Sequence, residues 1–396
     1  MTVLWVNRRE WRQPGPVINI TVHNAWSFAA IGFESHLHLA DGQPSDTADD
    51  LREFYDLPPL PAFHVKRYRH TTLLPGIGGK AGVYSQTAAF ARRLARRGRV
   101  AVFTRDSSFL PWMRLLQADA RIRCFYELHD LYADLTWRQE IDRVKHLRER
   151  WIERLLLPRL GGLVCITRDM GAMYRHLFPR TPVISLPLGT KPAPPVDSEI
   201  KRLKRTVFYV GHMHGAKGVS FLSGCAASLA AHGVRVEFWG GYEKDAAALT
   251  RSAAEKGLQD WIHAVPFQPP ARLHEALAAR ASLGVVMLAD TYYNRHLTCP
   301  VKALDYLSHG IPALGTALPS VREVLGDAGI WIKADDQQGF VSEAMRLLDC
   351  PATYSEAVNR ARERAEEITW QNRARALADF ARNRFEPAHG WQDRER

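Results

Sequence analysis

Short apolar runs alternate with amphipathic segments along most of the chain. In the first half the helical patterns run from the Gly15-Pro16 turn to about Phe33, from Tyr84 to Arg97 and from Asp142 to Leu157. The apolar runs between them predict strands at Val3–Val6, His36–Leu39, His64–Tyr68, Val100–Thr104, Arg123–Glu127, Leu163–Ile166 and Val183–Leu186. Alternating strands and helices are typical of a parallel α/β sheet with helices on its faces.

The alternation stops at residues 191–195, KPAPP, and at the charged run that follows to Arg205. Such a segment is typical of a linker. After it, helices are predicted from Val219, near Ala246–Lys256 and from Pro270, between strands at Thr206–Val210, Arg235–Trp239, Ile262–Val265 and Ser282–Met287. The sequence therefore predicts two doubly wound domains, and open α/β sheets of this kind bind ligands at the carboxyl ends of their strands.

Length and composition agree with two globular domains. The chain has 396 residues, of which 46% are hydrophobic, and it contains no apolar run of about 18 residues that could span a membrane. The first residues, MTVLWVNRRE, lack the pattern of a signal peptide. Five widely spaced cysteines indicate reduced core thiols, and no metal site is expected. A cytoplasmic protein is predicted.

The positive charge is concentrated in the first half. Residues 1–195 carry 28 Lys and Arg against 18 Asp and Glu, whereas residues 196–396 carry 25 against 24. The segment Ala88–Arg99 contributes four arginines that we expect on one side of a helix: Arg92, Arg93, Arg96 and Arg97. This face is either an ordinary solvated surface or a patch that meets anionic lipid, a polyanionic acceptor or nucleic acid.

The segment Asn294–Glu323 combines a polar loop, a helix start and a Gly-Pro turn. Pro300 fits the first turn of a helix that ends near Gly310, and Thr298 fits its N-cap. The N–H groups at such a start attract phosphate. Lys302 would add a positive charge there, and Asp305, one turn further on, could reach a ribose. The segment therefore predicts a nucleotide site, although an ordinary capped amphipathic helix is the alternative.

A second candidate phosphate loop is the segment Val210–Gly218, VGHMHGAKG, which lies between a strand and a helix. Gly211 and Gly218 allow the backbone to approach a ligand closely, and Lys217 supplies a charge for a diphosphate. The pattern is weak by itself. It gains weight because a second phosphate-binding pattern follows at Asn294–Glu323.

Together these motifs resemble the donor-binding motifs of family 4 glycosyltransferases of the GT-B fold. The family's Ser-Pro-x-Lys stands here as Cys299-Pro300-Val301-Lys302, and its Glu-Tyr-Met-Ala-x-Gly-x-Pro stands as Asp305–Pro312. Its Gly-Arg-Leu-x-x-x-Lys-Gly is similar to Gly211–Gly218. The chain departs from the pattern in three places: Asp305 replaces Glu, Leu297 stands where the family has an acid, and His212 stands where it has Arg.

The resemblance implies a role for each matching residue. Lys217 and Lys302 would stabilise the leaving diphosphate as catalytic groups, and Asp305 would bind the ribose. His129, in the segment Tyr126–Asp130, would contact the transferred sugar as the third catalytic residue. The implied donor-binding residues are Gly211, His212, Gly218, Phe267, Thr298, Cys299, Pro300 and Asp305.

The resemblance also implies the architecture and the reaction. The expected fold is GT-B, with two Rossmann-like domains that face each other across a cleft: residues 1–195 for the acceptor and 196–370 for the donor. The helix at about 371–396 would return to the first domain. We expect a retaining, metal-independent transferase without a cofactor, which moves a sugar from a UDP- or GDP-linked donor to a glycan or lipid-linked acceptor. Synthesis of a cell-surface glycan or glycolipid, with peripheral contact to the inner face of the plasma membrane, would suit it.

Two other functions remain open on the sequence alone. A GT-B epimerase or hydrolase would act on the nucleotide sugar without an acceptor, and Glu127 with Asp130 is the carboxylate pair it would need. A nucleic-acid-binding protein would explain the pI of about 9.5 and the arginines. It would leave both phosphate loops unexplained, and no aromatic residues interleave with the basic ones, so no nucleic acid is expected.

Overall fold

A computed structural model of the chain describes residues 1–41, 45–68, 81–213 and 218–386. Two compact units are present. Unit 1 comprises Met1–Asp50, Pro58–Leu186 and Trp370–Arg396, and unit 2 comprises Leu51–Leu57 and Pro187–Thr369. The sequence placed the first boundary at residue 195, whereas the chain already joins unit 2 at Pro187.

Unit 1 contains a seven-stranded parallel sheet with the strand order β3-β2-β1-β4-β5-β6-β7. Its strands are β1 Thr2–Glu10, β2 Ser35–Ala40, β3 Phe63–Tyr68, β4 Val100–Thr104, β5 Ile122–Leu128, β6 Gly162–Cys165 and β7 Val183–Ser185. The helices that accompany them in sequence are α1 Pro16–Ala30, α2 Thr47–Glu53, α3 Ala81–Ala95, α4 Leu110–Leu116, α5 Arg143–Leu156 and α6 Arg168–Leu177.

The centre of this sheet is apolar on both faces, as expected for parallel strands covered by helices. β1 pairs with β2 and β4, so that Trp5 lies beside Leu37 and Phe103. The Trp5 and Phe103 rings stack at 5.1 Å between centroids, and Phe103 stacks in turn on Phe125 at 4.9 Å. Trp5, Phe103 and Phe125 have no exposed surface, so they form the middle of the unit 1 core.

Unit 2 contains a six-stranded parallel sheet with the order β10-β9-β8-β11-β12-β13. Its strands are β8 Thr206–Val210, β9 Arg235–Trp239, β10 Ile262–Val265, β11 Leu283–Val286, β12 Ala313–Thr316 and β13 Gly329–Ile332. Its helices are α7 Ser198–Leu203, α8 Val219–Ala231, α9 Glu243–Glu255, α10 Pro270–Arg280, α11 Tyr292–His296, α12 Val301–Ser308, α13 Pro319–Leu325, α14 Gln337–Asp349 and α15 Pro351–Glu367.

The prediction of two doubly wound α/β sheets is confirmed, and the predicted strands begin and end within a few residues of the observed ones. Three helices of unit 1 were not predicted, namely α2, α4 and α6. They are short, with 7, 7 and 10 residues, and such segments show little periodicity. One cysteine also departs from expectation, because Cys350 is exposed while the other four are buried.

The arginine-rich segment is a helix only in part. Helix α3 ends at Ala95, and Arg96 and Arg97 lie in the turn that follows, where their N–H groups donate to the carbonyls of Arg93 and Leu94. The side chains also diverge. Arg93 lies over the Phe90 ring, whereas Arg92 and Arg96 line a pocket with residues of α4 and of the turn that follows it. The four arginines are exposed but do not share one side of a helix, contrary to the prediction.

The predicted linker is fixed on unit 2. The hydroxyl and the carbonyl oxygen of Ser308 accept hydrogen bonds from the backbone N–H groups of Lys191 and Ala193, at 3.1 and 2.7 Å. The Lys191 ammonium also contacts Asp56. The charged run after it forms α7, because Asp197 caps the helix by accepting from the N–H groups of Glu199 and Ile200. These contacts hold the segment in place, so it is not a flexible linker.

The last helix described, α16 Trp370–Arg382, belongs to unit 1 and packs against α1. The Trp370 ring stacks on His23 of α1 at 5.4 Å between centroids. The residues that follow from 387 lie outside the described part. Within the described residues, no helix combines the length and apolar content that a membrane span requires.

Candidate functional site

The candidate donor site lies at the carboxyl ends of the unit 2 strands. The strand order runs outward in both directions from β8 and β11, so the connections that leave these two strands go to opposite sides. Doubly wound sheets bind ligands in the crevice that this reversal leaves. Four of the predicted segments follow strands here or begin a helix beside them: Gly211–His212, Gly218, Phe267 and Thr298–Asp305.

A tyrosine hydroxyl occupies the gap where β8 and β11 part. The two strands are paired at Val207 and Phe208, while β8 continues to Val210. The Tyr306 hydroxyl accepts from the N–H of Val210 at 3.0 Å and donates to the carbonyl of Phe208 at 2.9 Å. Its ring lies over Gly284, where a β-carbon would collide with it. Tyr306, which belongs to the Asp305–Pro312 motif, thus replaces the missing part of the ladder.

Glycines let the loops at this end of the sheet approach each other. A β-carbon on Gly240 would lie 2.7 Å from the carbonyl oxygen of Gly211, and one on Gly241 would lie 3.0 Å from the N atom of Met213. Gly218 adopts a φ of +89°, and its β-carbon would collide with the carbonyl of Met287. The loops after β8, β9 and β11 therefore lie backbone against backbone, a spacing that only glycine permits.

Helix α12 begins one residue later than predicted. Pro300 is its N-cap and not its first helical residue, and no side chain caps the helix. Thr298 lies two residues before this position, and its N–H donates to the Tyr293 carbonyl at 3.1 Å. The predicted Thr298 cap is therefore wrong. Its physical consequence, among the described residues, is that no N-cap side chain occupies the first N–H groups of α12, and such N–H groups are what binds an anion at a helix start.

Lys302 lies in the first turn of α12 and reaches back over β8. Its side chain is buried, and Nζ lies 3.7 Å from the centre of the Tyr209 ring. A β-carbon on Gly211 would lie 3.7 Å from the same Nζ. The structure thus brings together one predicted catalytic residue and one predicted donor-binding residue. The Tyr209 ring, which sequence analysis did not single out, stabilises the ammonium through its π face.

Asp305 follows Lys302 by one turn and is partly exposed. Burial raises the pKa of its carboxyl group to about 7. Within the described part of the chain, its carboxylate forms no hydrogen bond or ion pair. A carboxylate in this state is poised to accept hydrogen bonds from a ligand, and ribose hydroxyls could donate them.

The other predicted donor-binding residues take up various positions. His212 is exposed and its carbonyl accepts from the Tyr209 hydroxyl at 2.8 Å, while the N–H of Phe267 donates to the carbonyl of Gly241 at 3.0 Å. Cys299 is buried, as is Leu297, which stands where the family has an acid. Lys217 lies outside the described residues, so the structure does not place it.

His129, the third predicted catalytic residue, lies in unit 1 at the carboxyl end of β5. Its Nε2 donates to Glu127 Oε1 at 2.6 Å. Burial, assisted by the charge of Arg105, lowers the His129 pKa to about 4, so the ring is neutral at pH 7. Because Nε2 of the neutral ring donates to Glu127, Nδ1 is an acceptor, and this is the role it could take toward a sugar hydroxyl. His129 and the unit 2 residues belong to separate compact units.

The carboxylate pair that an epimerase or hydrolase would need is not available for proton transfer. Glu127 Oε2 accepts from Arg373 at 2.8 Å and from Asn24 at 3.2 Å, while Oε1 accepts from His129. Burial would raise the pKa of Glu127, but the His129 hydrogen bond and the Arg373 charge outweigh it and lower it to about 2. Asp130 is paired with Arg138. Carboxylates held in this way are poor general bases at neutral pH.

Among the described residues, one group of side chains has the spacing to hold a metal ion: Glu34, His36 and His64, whose ligand atoms lie within 4.8 Å of one another. His36 and His64 are neighbours near the amino ends of β2 and β3. They lie at the opposite end of the strands from His129, in unit 1. The group therefore takes no part in the candidate donor site.

Comparisons with known proteins agree with this geometry. Residues 204–350 match the family model described as glycosyl transferases group 1. They include β8 to β13 of unit 2, and hence every donor-site residue named above for that unit. No curated protein sequence shows significant similarity to the chain.

Solved structures resemble the whole chain. Sucrose-phosphate synthase from Thermosynechococcus elongatus has 17% identity and a TM-score of 0.69, with 97% of this chain and 99% of that chain covered. HepE from Anabaena, solved with UDP-glucose, has 15% identity and a TM-score of 0.67, with coverage of 97% and 100%. WaaG, a glycosyltransferase involved in lipopolysaccharide biosynthesis, has 18% identity and a TM-score of 0.64, with coverage of 96% and 99%.

The structural neighbours establish the fold, and the family model identifies the domain that carries the donor-site motifs. Both agree with the resemblance to family 4 found in the sequence. The chain has the GT-B fold of these structures, and its residues 204–350 match the glycosyl transferases group 1 family.

Proposed function

We propose that the chain transfers a hexose from a nucleoside-diphosphate sugar to an acceptor hydroxyl, with retention of configuration and without a metal ion. The observation that carries the proposal is the position of the Lys302 ammonium beside Gly211, at the uncapped start of α12. Cation, backbone N–H groups and glycine loop lie together in unit 2. This is the combination that stabilises a diphosphate leaving group.

In this mechanism the cations perform the work that a metal ion performs in other sugar transferases. Negative charge develops on the diphosphate as the bond to the sugar breaks, and Lys302, together with Lys217, would neutralise it. Fixed charges that need no rearrangement during the reaction usually contribute the largest part of such catalysis. His129 would contact the transferred sugar. Retention of configuration follows from the family resemblance.

UDP is the proposed leaving group in preference to GDP. HepE was solved with UDP-glucose, and a pneumococcal O-GlcNAc transferase with 10% identity and a TM-score of 0.69 was solved with UDP and GlcNAc. The proposed acceptor is a glycan or a lipid-linked glycan of the cell surface. In that role the protein would be cytoplasmic and peripheral to the membrane, as the exposed arginines Arg92, Arg93, Arg96 and Arg97 suggest.

The experiment is a donor screen followed by a single substitution. UDP- and GDP-sugars are incubated with the protein and candidate acceptors, and release of the nucleotide and formation of the glycoside are both measured. Lys302→Ala should lower turnover by two or more orders of magnitude, since removing one charge stabiliser raises the barrier by about 2.7–4 kcal/mol. Lys204→Ala is the matched control, because Lys204 is exposed in the same unit.

Two results would contradict the proposal. Unchanged turnover in Lys302→Ala would remove the lysine from the donor site. Release of free sugar in place of a glycoside, with every acceptor tried, would identify a hydrolase.

A further inference from the structure

Helix α5 presents an apolar stripe to solvent. Four of its apolar side chains are exposed to solvent: Val144 at 84%, Leu147 at 41%, Trp151 at 72% and Leu155 at 59%. Their spacing of three, four and four residues places them within about 80° of arc on an α-helix. Scattered apolar residues are common on protein surfaces, but a continuous stripe marks an interaction site.

Cations border the stripe on both sides. On a helical wheel Arg148 and Lys145 lie along one edge, and Arg154 and Arg143 lie along the other. All four are exposed. Long basic side chains in this position can lay their methylene stems on an apolar phase and extend their charges beyond it.

The acidic side chains of α5 point the opposite way and fix its rotation. Glu149 and Glu153 are buried, on the side of the helix away from Trp151. Glu153 accepts from the backbone N–H of Ala133 at 2.6 Å and from the hydroxyl of Tyr174 at 2.6 Å. A rotation that buried the stripe would break these bonds and expose the carboxylates. The outward setting of the apolar side chains is therefore part of the folded state.

We propose that helix α5 is a membrane-docking surface, which inserts Val144, Trp151 and Leu155 into the headgroup region of an anionic lipid bilayer. An amphipathic helix with Trp and Leu on one face and cations at the borders binds in the plane of such an interface. Tryptophan favours that depth, and each bordering cation is attracted by anionic headgroups. The carboxylates, which those headgroups would repel, lie on the buried side.

A second copy of the chain is the competing occupant. Charge argues against it, because two α5 stripes in contact would bring both sets of bordering arginines and lysines together, whereas the two carboxylates of α5 lie on its buried side. The surface is also distinct from the arginines at the end of α3, which lack an apolar stripe among them. It lies in unit 1, and the proposal does not depend on the donor chemistry of unit 2.

The test is co-sedimentation of the full-length protein with vesicles at low ionic strength. Vesicles of phosphatidylcholine mixed with phosphatidylglycerol should bind it, vesicles of phosphatidylcholine alone should bind it weakly, and added salt should reduce the binding. The triple variant Val144→Ser, Trp151→Ser, Leu155→Ser should bind at least about tenfold more weakly. Because these side chains are exposed, the fold should survive, and circular dichroism checks this. Val144→Asp is the milder substitute if it does not.

Two matched controls locate the surface. Ile200→Ser with Leu203→Ser removes two apolar side chains that are also exposed, on α7 of unit 2, and should leave binding unchanged. Replacement of Arg92, Arg93, Arg96 and Arg97 by Gln should weaken binding less than the triple variant does.

Three outcomes would overturn the proposal. Wild-type protein could stay in the supernatant with the anionic vesicles. The arginine variant could lose binding that the triple variant keeps. Light scattering could reveal a dimer that the triple variant dissociates, in the absence of any vesicle binding.

Discussion

The carboxyl group of Asp305 is the proposed ribose ligand, and its pKa lies near neutral pH. Burial raises its pKa to about 7, so that the proton competes with a hydrogen-bond donor for this group near neutral pH. A ribose hydroxyl donates its hydrogen bond best to the charged form. The residue that we propose as the ribose ligand is therefore only partly in its binding state at pH 7.

This predicts a pH dependence of nucleotide affinity. The affinity for UDP should rise as pH increases through about 7, because deprotonation of Asp305 creates the acceptor. In Asp305→Asn the affinity should be lower and should lack this component, while Asp305→Glu should bind nearly as well as wild type. Calorimetric titrations at several pH values measure the affinity. The protonation of the UDP phosphate also changes with pH, but its contribution cancels when the variants are compared. Identical pH profiles for wild type and Asp305→Asn would leave Asp305 as a helix-surface residue.

The same group provides an independent check on stability. Its folded-state pKa lies above the ordinary value of 3.8, so its contribution to the free energy of unfolding is fully present below that value and is lost as pH rises through about 7. Without ligand, the free energy of unfolding of Asp305→Asn should therefore rise relative to that of wild type as pH increases from about 4 to about 8.

At the scale of the element, one arginine fastens the last helix to unit 1. Arg373 of α16 donates from Nη2 to Glu127 at 2.8 Å, from Nε to Asn24 at 3.1 Å and from Nη1 to the Leu186 carbonyl at 2.6 Å. Both charged side chains are buried. One side chain thus ties α16 to β5, to α1 and to the residue that follows β7.

Arg373→Met should destabilise unit 1 strongly. It leaves the Glu127 charge buried without its cation, and breaking one partner of a buried pair costs about 3–5 kcal/mol. Arg375→Met, on the exposed side of α16, is the control and should have little effect. Thermal unfolding and amide exchange in α16 measure the effects of both substitutions on stability. Addition of Glu127→Gln should restore part of the loss, and a double variant no more stable than Arg373→Met would contradict the assigned pairing.

The pH dependence of this pair has the opposite sign to that of Asp305. The folded-state pKa of Glu127 lies near 2, below its ordinary value of 4.5. Its contribution to stability is therefore complete above 4.5 and is lost as pH falls through about 2. At neutral pH the full loss of stability caused by Arg373→Met should therefore be measured.

The sequence predicted some of these elements better than others. The strands were found because both faces of a parallel sheet are apolar, which leaves uninterrupted runs such as Val100–Thr104. The start of α12 was misplaced because Thr298 has the chemistry of a cap, and only the backbone path reveals that Pro300 takes that position. No local pattern could pair Arg373 with Glu127, since 246 positions separate them.

The sequence also predicted some residues of the candidate site and missed others. Lys302 and Gly211 were chosen from separate motifs, and the fold brings them together because Tyr306 of α12 is hydrogen-bonded to the end of β8. The Tyr209 ring under Lys302 was missed, since a tyrosine inside an apolar strand looks like a core residue. The exposed stripe of α5 was also missed, because its sequence reads as a charged helix and the side that faces the protein is visible only in the fold.

At the scale of the whole molecule, the chain forms two compact units, and the donor-site features described lie in unit 2. UDP should therefore slow amide exchange in β8, in α12 and in the rest of that unit's core. Amides that exchange through unfolding of unit 2 should gain about 2.7 kcal/mol of protection at a UDP concentration of 100 times Kd. Exchange in β1 and β4 of unit 1 should not change. Protection confined to unit 1 would refute the assignment of the donor site.

The Tyr306 hydroxyl bears on how fast and how tightly a nucleotide can associate. Because a phenol can both accept from Val210 and donate to Phe208, β8 and β11 remain separated with their hydrogen bonds already made. An incoming ligand then breaks no backbone hydrogen bond to enter the crevice, and little of its binding energy is spent on reshaping the protein. Association should accordingly occur in one kinetic step that is linear in nucleotide concentration, whereas a crevice that had to open first would give a rate that saturates.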